Sequence, residues 1–357
     1  YCMDEHFIKI HKWLYPVSWL YGAVVMMRNK LFDWEVLQSK SFDIPIISVG
    51  NLAVGGTGKT PHTEYLIKFL CNQYKVAVLS RGYKRHTKGY VLATPESTAR
   101  SIGDEPYQMH QKFPSVTVAV DEKRCHGIEK LLALQKPSID VILLDDAFQH
   151  RYVQADKNIV LIDYNRPVHE DCLLPAGRLR ESVQALKRAD YIIVTKCPKS
   201  IQPIEKRILS KHLKIKPYQQ LFFTTLEYGK IKPLFPQYES IVPDRSSSIL
   251  CLTGIAQPGP YIDHLKTFTS DITEIRYPDH HHFSKKDFQQ IARAFESIEN
   301  PKKYIFTTEK DAVRLKACPL PEELQRVIYY IPVEPVFIDQ DDLLLNEISE
   351  YVRKNQR

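Results

Sequence analysis

A glycine-rich segment around residue 55 has the residue types and spacing of a phosphate-binding loop. It runs Ala53-Val54-Gly55-Gly56-Thr57-Gly58-Lys59-Thr60, between a short apolar stretch at 44–49 and a helical pattern at 61–74. This is the strand-loop-helix context that such a loop requires. Glycines allow backbone N–H groups to close around phosphate oxygens, and the N-terminus of the following helix adds a partial positive charge. The segment therefore predicts binding of the phosphates of ATP.

The last two positions of this loop have separate predicted tasks. Lys59 is expected to reach the β- and γ-phosphates, and the Thr60 hydroxyl is expected to hold Mg²⁺. Ala53 replaces the glycine that usually begins the motif, so we expect Gly55 and Gly56 to supply the turn. The predicted nucleotide-binding residues are Val54, Gly55, Gly56, Thr57, Gly58, Lys59, Thr60 and Pro61.

An acidic pair follows at the end of a later apolar run. Four apolar residues at 141–144 precede Asp145 and Asp146, which is the pattern of a Walker B strand whose carboxylate holds Mg²⁺ directly or through water. Adjacent side chains point to opposite sides of an extended strand. One acid is therefore expected to take the metal and the other a neighbouring role. The sequence leaves open which acid does so, and a solvent-facing pair is the alternative.

Three other polar clusters are ambiguous when each is considered alone. The turn at 103–106 contains Asp104 and Glu105, the tract at 279–283 contains three consecutive histidines, and the segment 178–181 contains two arginines before a glutamate. Each suits a solvated loop or a charged helix start. The histidine tract also suits a metal site or one half of an acid/base pair.

Short apolar segments alternating with helical patterns must position these motifs. Predicted strands lie at 44–49, 75–80, 116–120, 140–144, 158–163 and 191–195. This alternation predicts a P-loop NTPase-like α/β fold with a doubly wound, mostly parallel sheet. Further strands at 221–228, 247–253, 304–308 and 327–332 predict a second, smaller α/β domain. The predicted division is a membrane-associated helix at 1–30, a kinase domain at 31–220, and a smaller domain with linker strands at 221–357.

The N-terminal segment at 13–27 is apolar, but it is shorter than the roughly 20 residues that a bilayer span needs. Tryptophans, tyrosines and flanking basic residues are typical of a membrane interface. We predict an amphipathic helix from about Phe7 to Met27 that lies in the inner leaflet without crossing it. A helix packed on the domain is the alternative. The residues at helical spacing on its apolar face are Ile10, Trp13, Val17, Leu20, Val24 and Met27.

The overall composition argues against several classes of protein. The net charge is +7, from 49 Lys and Arg against 42 Asp and Glu, and this mild excess suits an anionic ligand or membrane surface. The sequence contains no motif typical of nucleic-acid binding. Its seven cysteines are odd in number and lack C-x-x-C spacing, which favours reduced thiols over disulfides or a structural metal site.

In order along the chain, the motifs resemble those of the tetraacyldisaccharide 4'-kinases of lipid A biosynthesis. The resemblance covers most of the chain, and so many ordered motifs make it specific. Two positions depart from the family pattern, with Ala147 in place of Gly and Arg178 in place of Pro, and neither is an expected catalytic residue. The matching motifs are Leu20-Tyr21-Gly22, Ser48-Val49-Gly50-Asn51, Val54 to Pro61, Ser80-Arg81-Gly82-Tyr83, Gly103-Asp104-Glu105-Pro106, Asp145-Asp146-Ala147-Phe148-Gln149-His150-Arg151, Leu174-Pro175-Ala176-Gly177, Leu179-Arg180-Glu181, Gly254-Ile255-Ala256, Asp279-His280 and Thr308-Glu309-Lys310-Asp311-Ala312-Val313.

The resemblance implies a reaction and its surroundings. ATP is expected to transfer its γ-phosphoryl group to the 4'-hydroxyl of a tetraacyldisaccharide 1-phosphate, giving lipid IVA, with Mg²⁺ as the metal. The implied location is the cytoplasmic face of the bacterial inner membrane, as a peripheral or monotopic protein. The lipid disaccharide and the membrane surface are the implied partners, with no nucleic acid and no obligate protein partner. The smaller domain is expected to close over the nucleotide.

The family pattern also implies roles for individual residues. Asp104 resembles a general base with His280 as its partner, and Lys59 completes the expected catalytic set. A carboxylate suits this task because a sugar hydroxyl is a poor nucleophile. The expected metal residues are Thr60, Asp145, Asp146 and Glu181, and the expected substrate contacts are Arg81, Tyr83, His150 and Arg180.

Two other classes of protein use similar motifs. A P-loop GTPase or metallochaperone would require a guanine-reading N/T-K-x-D, and Thr195-Lys196-Cys197-Pro198 lacks the aspartate. A non-enzymatic ATP-binding membrane scaffold would need no catalytic base. Loss of transfer with intact ATP binding after substitution of Asp104 would therefore argue against a scaffold.

Overall fold

The computed structural model describes residues 10–134, 138–338 and 341–355, except for the side chains of residues 341 and 342. The start of the predicted N-terminal helix, near Phe7, lies outside these ranges. The strands are β1 (Ile46–Asn51), β2 (Val76–Ser80), β3 (Val91–Leu92), β4 (Thr117–Val120), β5 (Val141–Asp145), β6 (Lys157–Asp163), β7 (Tyr191–Thr195), β8 (Gln220–Tyr228), β9 (Lys232–Pro233), β10 (Ser248–Thr253), β11 (Ile272–Arg276), β12 (Lys303–Thr308), β13 (Ile328–Ile331) and β14 (Val333–Phe337).

Helices pack on the faces of the sheets that these strands form. Two are short 3₁₀ helices, at Lys12–Leu14 and Val183–Arg188. The α-helices are α1 (Tyr15–Asp33), α2 (Lys59–Leu70), α3 (Ala99–Ile102), α4 (Asp104–Lys112), α5 (Arg124–Leu132), α6 (Pro203–Leu213), α7 (Gly259–Leu265), α8 (Lys285–Glu296), α9 (Glu309–Lys316), α10 (Glu322–Gln325) and α11 (Asp341–Asn355).

The larger lobe is organised around a nine-stranded sheet in the order β14-β8-β7-β6-β1-β5-β2-β4-β3. Its strands are parallel except for the edge strands β14 and β3, which pair antiparallel with their neighbours. β1 and β5 are buried along their whole length, as expected for parallel strands covered on both faces. The predicted mostly parallel α/β sheet is therefore confirmed. β1 lies between β5 and β6, so the loops after β1 and β5 meet at one edge of the sheet.

The smaller lobe is built on a five-stranded sheet in the order β11-β10-β12-β13-β9. Its division from the larger lobe differs from the predicted boundary after residue 220. β8 pairs with β7, and β14 returns to pair with β8, so both belong to the large sheet. α11 also belongs to the larger lobe, because its Leu344 and Ile348 are buried in the same core as Ile47 of β1. The smaller sheet is thus confined to strands between residues 232 and 331.

α1 lies on the larger lobe with its polar side inward. Ser18 donates to the Leu173 carbonyl at 3.1 Å, and Asn29 donates to Glu181 at 3.1 Å. Trp13 and Trp19, by contrast, are 78% and 73% exposed. No helix among the described residues is long and apolar enough to cross a membrane. The exposed apolar side chains on and beside this helix include Trp13, Val17, Trp19, Leu20, Val24, Met26, Met27 and Trp34.

Candidate active site

The glycine-rich loop connects β1 to α2 at the carboxyl end of the large sheet. Gly55 and Gly58 adopt φ values of +121° and +83°, in a region that glycine enters without the steric cost of a Cβ atom. Gly56, which was expected to supply the turn together with Gly55, does not have a positive φ, whereas Gly58 does. Ala53 is buried and bridges to Leu179, so its methyl group packs in the core at the position where a glycine was expected.

Buried polar contacts hold the shape of this loop. The Asn51 side-chain amide donates to the Ala53 carbonyl at 2.7 Å and to the Thr57 hydroxyl at 2.8 Å. The Thr195 hydroxyl, at the end of β7, donates to the Thr57 carbonyl at 2.9 Å. Since all of these groups are buried, each lost bond would leave an unpaired polar atom. The loop is therefore fixed from both β1 and β7.

Lys59 lies beside the second acid of the Walker B motif. The Asp146 Oδ1 atom is 3.7 Å from Lys59 Nζ and accepts from Arg180 Nη1 at 2.8 Å. Burial raises the pKa of the Asp146 carboxyl, but the charges of Lys59 and Arg180 outweigh it and lower the pKa overall. Asp146 also has φ of +49°, a strained value for a residue with a side chain and one often found at functional sites.

Asp145 occupies a different environment at the end of β5. It is buried, and its carboxylate accepts from the Thr63 hydroxyl at 3.4 Å and from the Ser80 hydroxyl at 3.3 Å. Burial, together with the neighbouring charge of Asp146, raises the pKa of the Asp145 carboxyl to about 6. Of the two acids, Asp146 is thus the one that is ion-paired with Lys59.

Asp104 and His280, which the sequence analysis paired, are in contact. Asp104 begins α4, and its Oδ2 atom lies 3.1 Å from His280 Nδ1 and accepts from Arg314 Nε at 2.8 Å. Burial opposes ionisation, but the His280 hydrogen bond and the Arg314 charge lower the pKa of the Asp104 carboxyl to about 2. The structure records no hydrogen bond from the described residues to Asp104 Oδ1. One oxygen of an ionised carboxylate is therefore left to accept from a substrate.

Arg314 was not predicted from the sequence, although it immediately follows the motif from Thr308 to Val313. It lies on α9, where Asp311 binds it at 2.7 Å and it donates to the Gly254 carbonyl at 3.1 Å. Its Nη2 atom is 3.2 Å from His280 Nδ1. The i,i+3 spacing from Asp311 was the available signal, whereas the contact with Asp104 joins positions 210 residues apart.

Ion pairs along α4 join the two lobes around Asp104. Lys310 of α9 binds Glu105 at 2.7 Å, and Glu309 binds Lys112 at 2.9 Å. Lys112 also binds Glu64 of α2 at 2.6 Å. The helix that carries Asp104 is thus tied to the phosphate-loop helix on one side and to the smaller lobe on the other. The position of Asp104 depends on both lobes.

Glu181, an expected metal residue, uses one carboxylate oxygen, while its Oε1 atom is buried without a hydrogen-bond partner among the described residues, so its metal role stays a prediction. Its Oε2 atom accepts from Arg188 at 2.5 Å and from Asn29 of α1 at 3.1 Å. Glu181 is buried, and its charge is matched by Arg188. The adjacent Arg180 instead contacts Asp146. The structure therefore connects Glu181 to α1 and records no contact of it with Lys59 or Asp146.

The remaining expected substrate residues lie on two neighbouring loops. Arg81 and Tyr83 follow β2 and are exposed, and the Tyr83 ring contacts the His280 ring edge-on at 5.7 Å between centroids. His150 follows the Walker B acids. Burial lowers the pKa of His150 to about 4, assisted by the positive charges of Arg124, Arg28 and Arg81. A neutral imidazole among arginines is suited to an anionic ligand.

The donor atoms near Lys59 are suited to Mg²⁺. Thr60 offers a hydroxyl and Asp146 an ionised carboxylate, both hard oxygen ligands. Within the described residues, no group of three or more His, Cys, Asp or Glu side chains could hold a metal alone. Mg²⁺ is commonly held by one or two carboxylates together with substrate phosphates and waters. The residues present therefore fit a metal that arrives with a nucleotide.

Almost the whole chain, beyond its individual motifs, is similar to known proteins. Residues 10–352 match the family described as tetraacyldisaccharide-1-P 4'-kinase. The tetraacyldisaccharide 4'-kinase of Bacteroides thetaiotaomicron is 58% identical over 99% of this chain and 97% of its own length. That of Porphyromonas gingivalis is 46% identical over 95% of this chain and 97% of its own. The fold is similar to that of the "apo" form of LpxK from Aquifex aeolicus in complex with ATP, with a TM-score of 0.74 and 28% identity, covering 96% of this chain and 98% of that one.

Proposed function

This chain belongs to the tetraacyldisaccharide-1-P 4'-kinase family, and on that premise we propose how its own residues perform the reaction. The protein is an ATP-dependent lipid kinase of lipid A biosynthesis. It transfers the γ-phosphate of ATP to the 4'-hydroxyl of tetraacyldisaccharide 1-phosphate, giving lipid IVA. We propose the roles of its individual residues, of Mg²⁺ and of the membrane surface.

The phosphates of ATP bind in the loop from Val54 to Pro61. Lys59 contacts the γ-phosphate, and the position of its Nζ atom near Asp146 supports this role. Thr60 and Asp146 would hold Mg²⁺, which when bound neutralises charge on the β- and γ-phosphates. Arg180 orients Asp146 through their 2.8 Å contact. Asp145, with its raised pKa, links the end of β5 to α2 and β2 through Thr63 and Ser80.

The acceptor hydroxyl is oriented by Asp104. Its Oδ1 atom accepts the hydrogen bond of the 4'-hydroxyl, and His280 and Arg314 hold Oδ2. A carboxyl with a pKa of about 2 is a weak base, so its main task is orientation, with proton transfer late in the reaction. This suits phosphoryl transfer, in which the transition state is loose and the protein contributes mainly positioning and charge. The observation that carries this proposal is the Asp104 carboxylate at the junction of the lobes. One of its oxygens is ion-paired, and the other has no hydrogen bond from the described residues.

The acceptor lies on the Arg81, Tyr83 and His150 side of the site. Arg81 and the nearby Arg28 supply positive charge for the phosphate that the acceptor already carries. Tyr83 contacts His280 and so connects this side to Asp104.

A direct transfer assay tests the proposed function. Purified protein, γ-labelled ATP and Mg²⁺ are mixed with tetraacyldisaccharide 1-phosphate in detergent micelles. Label should appear in the lipid at the 4'-position. ATP hydrolysis without lipid labelling would contradict the kinase assignment.

The exposed apolar side of α1 provides a surface for the inner membrane. Its outward tryptophans and aliphatic side chains match the chemistry of a lipid interface. The inward polar side contacts the active-site loops, because the Tyr21 hydroxyl donates to the Arg180 carbonyl at 2.9 Å and Arg28 donates to the Gln149 carbonyl at 3.2 Å. The helix thus brings the site to a substrate whose acyl chains remain in the bilayer.

Replacing three outward residues, Trp19, Leu20 and Val24, with serine is expected to weaken membrane binding. Their side chains are 73%, 67% and 61% exposed, so the fold loses little while the lipid surface loses apolar area. We expect less co-sedimentation with vesicles containing anionic lipid and a higher KM for the lipid substrate. The KM for ATP should be nearly unchanged.

A matched control replaces exposed apolar residues far from α1. Ile204, Ile208 and Val242 are 60%, 46% and 82% exposed, and serine at these positions should leave vesicle binding intact. Equal loss in both variants would contradict a specific role of α1. Cys2 lies outside the described residues and provides a topology probe. Its labelling from the periplasmic side of right-side-out vesicles would show that the segment crosses the membrane.

A further inference from the structure

A cleft beside the phosphate-binding loop contains two arginines that the reaction described above does not use. Its lining includes Gly55, Gly56, Arg166, Arg178 and Gln257. Arg166 follows β6, and Arg178 lies on the loop that leads to Arg180. Both side chains therefore approach the glycine-rich loop from the β6 side, whereas the Walker B acids lie on the β5 side.

A buried carboxylate builds the loop that carries these arginines. The side chain of Asp171 is 0% exposed, and its Oδ2 atom accepts from Arg166 Nε at 2.7 Å. Its Oδ1 atom accepts from the backbone N–H of Cys172 at 2.8 Å and of Arg178 at 3.1 Å. Gly177 is required in this turn, because a Cβ atom there would overlap Asp171 Oδ1 and the Cys172 carbonyl. The two arginines are thus held in a fixed relation by one acid.

The same loop is attached directly to the phosphate-binding loop. The Arg178 carbonyl accepts from the backbone N–H of Val54 at 2.8 Å. The Arg178 guanidinium also lies over the glycines, since its Nη1 atom would be 3.8 Å from a Cβ atom placed on Gly55. The backbone bond and the side-chain position together put a cation next to the groups that bind phosphate.

Both guanidinium groups retain unused hydrogen-bond donors. Within the described part of the chain, no carboxylate pairs with Arg178, and its side chain is exposed. Arg166 donates from Nε to Asp171, while its Nη2 atom is buried without a hydrogen-bond partner among the described residues. A buried, unpaired charged donor is costly unless a ligand completes it. These donors suit an anion with several oxygens, such as a phosphate group.

We propose that Arg178, supported by Arg166, binds phosphate oxygens of ATP as a second cationic contact besides Lys59. This inference rests on the proposed function, because it places the nucleotide in the Val54–Pro61 loop. Arg178 donates N–H groups to the phosphate chain from the β6 side, whereas Asp146 lies on the β5 side. The negative charge of the triphosphate is then neutralised from both sides of the loop. Arg166 acts through the shared carboxylate Asp171 and contributes its free Nη2 atom.

Replacing Arg178 with alanine tests this assignment. We expect kcat/KM for ATP to fall by roughly 10- to 100-fold, the scale of a lost charge-assisted hydrogen bond. Arg178→Lys should show a smaller loss, because it keeps the charge without the two-pronged geometry. Arg207→Ala is the matched control, since Arg207 is an exposed arginine on α6, away from the cleft. Thermal unfolding of all variants should remain near that of the parent protein.

Binding measurements separate the phosphate contact from a general effect on the pocket. Calorimetry should show weaker binding of ATP and of ADP to Arg178→Ala, while inhibition by adenosine should be unchanged. If inhibition by adenosine is weakened as much as ATP binding, Arg178 shapes the nucleoside pocket, and the proposal is overturned. An unchanged kcat/KM would also overturn it, as would an equal loss in Arg207→Ala. If Arg178→Ala has the activity of the parent protein while Lys59→Ala is inactive, the role of Arg178 is wrong but the proposed function is retained. If both are fully active, the proposed function fails as well.

Discussion

Alanine at position 59 is expected to abolish phosphoryl transfer, with a loss of at least about 10³-fold in kcat, the scale for a group that stabilises transition-state charge. Lys59 is only 17% exposed in its side chain and lies 3.7 Å from Asp146, so its ammonium group is held in the loop. Truncation removes the main cation on the γ-phosphate and leaves Asp146 with Arg180 alone. The measurement is transfer of label from γ-labelled ATP to the lipid at saturating ATP.

Lys68→Ala provides the matched control for this prediction. Lys68 lies on the same helix, α2, but it is exposed and pairs at the surface with Glu334 at 3.2 Å. Surface pairs of this kind contribute little to stability, so its activity should be close to that of the parent protein. Near-normal turnover of Lys59→Ala would remove the basis for assigning the glycine-rich loop to the nucleotide.

Asparagine at position 104 is expected to reduce kcat by roughly 10²- to 10⁴-fold, the range for losing a carboxylate that orients the acceptor hydroxyl and takes its proton late in the reaction. The substitution keeps the size of the side chain but removes the charge that pairs with Arg314 and His280. The 4'-hydroxyl then lacks an anionic acceptor for its hydrogen bond. Affinity for ATP should barely change, because Asp104 lies on α4 and not in the phosphate-binding loop. Transfer kinetics and calorimetric ATP binding together check this expectation.

Two comparisons sharpen the test of Asp104. His280→Ala should change kcat in the same direction, and the double variant should be less than additive if the two side chains act as a unit. Asp263→Asn is the control, since Asp263 is an exposed acid with a 71% exposed side chain. Loss of ATP–Mg²⁺ binding with kcat retained would instead identify Asp104 as a metal residue.

The pKa of Asp104 sets the pH behaviour expected of this group. Its folded pKa of about 2 is below the ordinary value of 3.8, so its pairing with His280 and Arg314 stabilises the folded protein above the ordinary pKa. That stabilisation is lost as the pH falls from 3.8 through about 2. Near neutral pH the carboxylate remains charged. An acidic limb of the rate profile near neutrality would therefore belong to another group.

The glycine-rich loop and the Walker B pattern could be recognised in the sequence because each is a local motif. Gly55, Gly58 and Lys59 lie within five consecutive positions, and the backbone between a strand and a helix determines what they can hold. β1 and β5 were visible as short apolar runs, since parallel strands are buried on both faces. The sequence was also sufficient to associate Asp104 with His280, but only through resemblance to a family.

Contacts between distant positions were decided by the tertiary structure. Arg314 reaches Asp104 across 210 residues, and no periodicity in either segment encodes that approach. The return of β14 to the larger lobe likewise depends on the open edge of β8, and that of α11 depends on the apolar core that it covers. Local propensity describes how a segment folds, whereas the partner of that segment depends on the surfaces that all other segments present.

The orientation of the N-terminal helix was also decided by the tertiary structure. Its apolar spacing predicted an amphipathic helix, but spacing alone does not say which side faces the protein. In the structure the polar side is inward, because Ser18, Tyr21 and Asn29 find hydrogen-bond partners on the segment from Leu173 to Glu181. Arg178 was similarly inconspicuous in the sequence, and only the fold brings its guanidinium to Gly55. The sequence by itself thus determined the local motifs and the strands and helices that flank them. The tertiary structure decided the partners of their side chains, because a hydrogen bond or an ion pair requires two groups that only chain closure brings within reach.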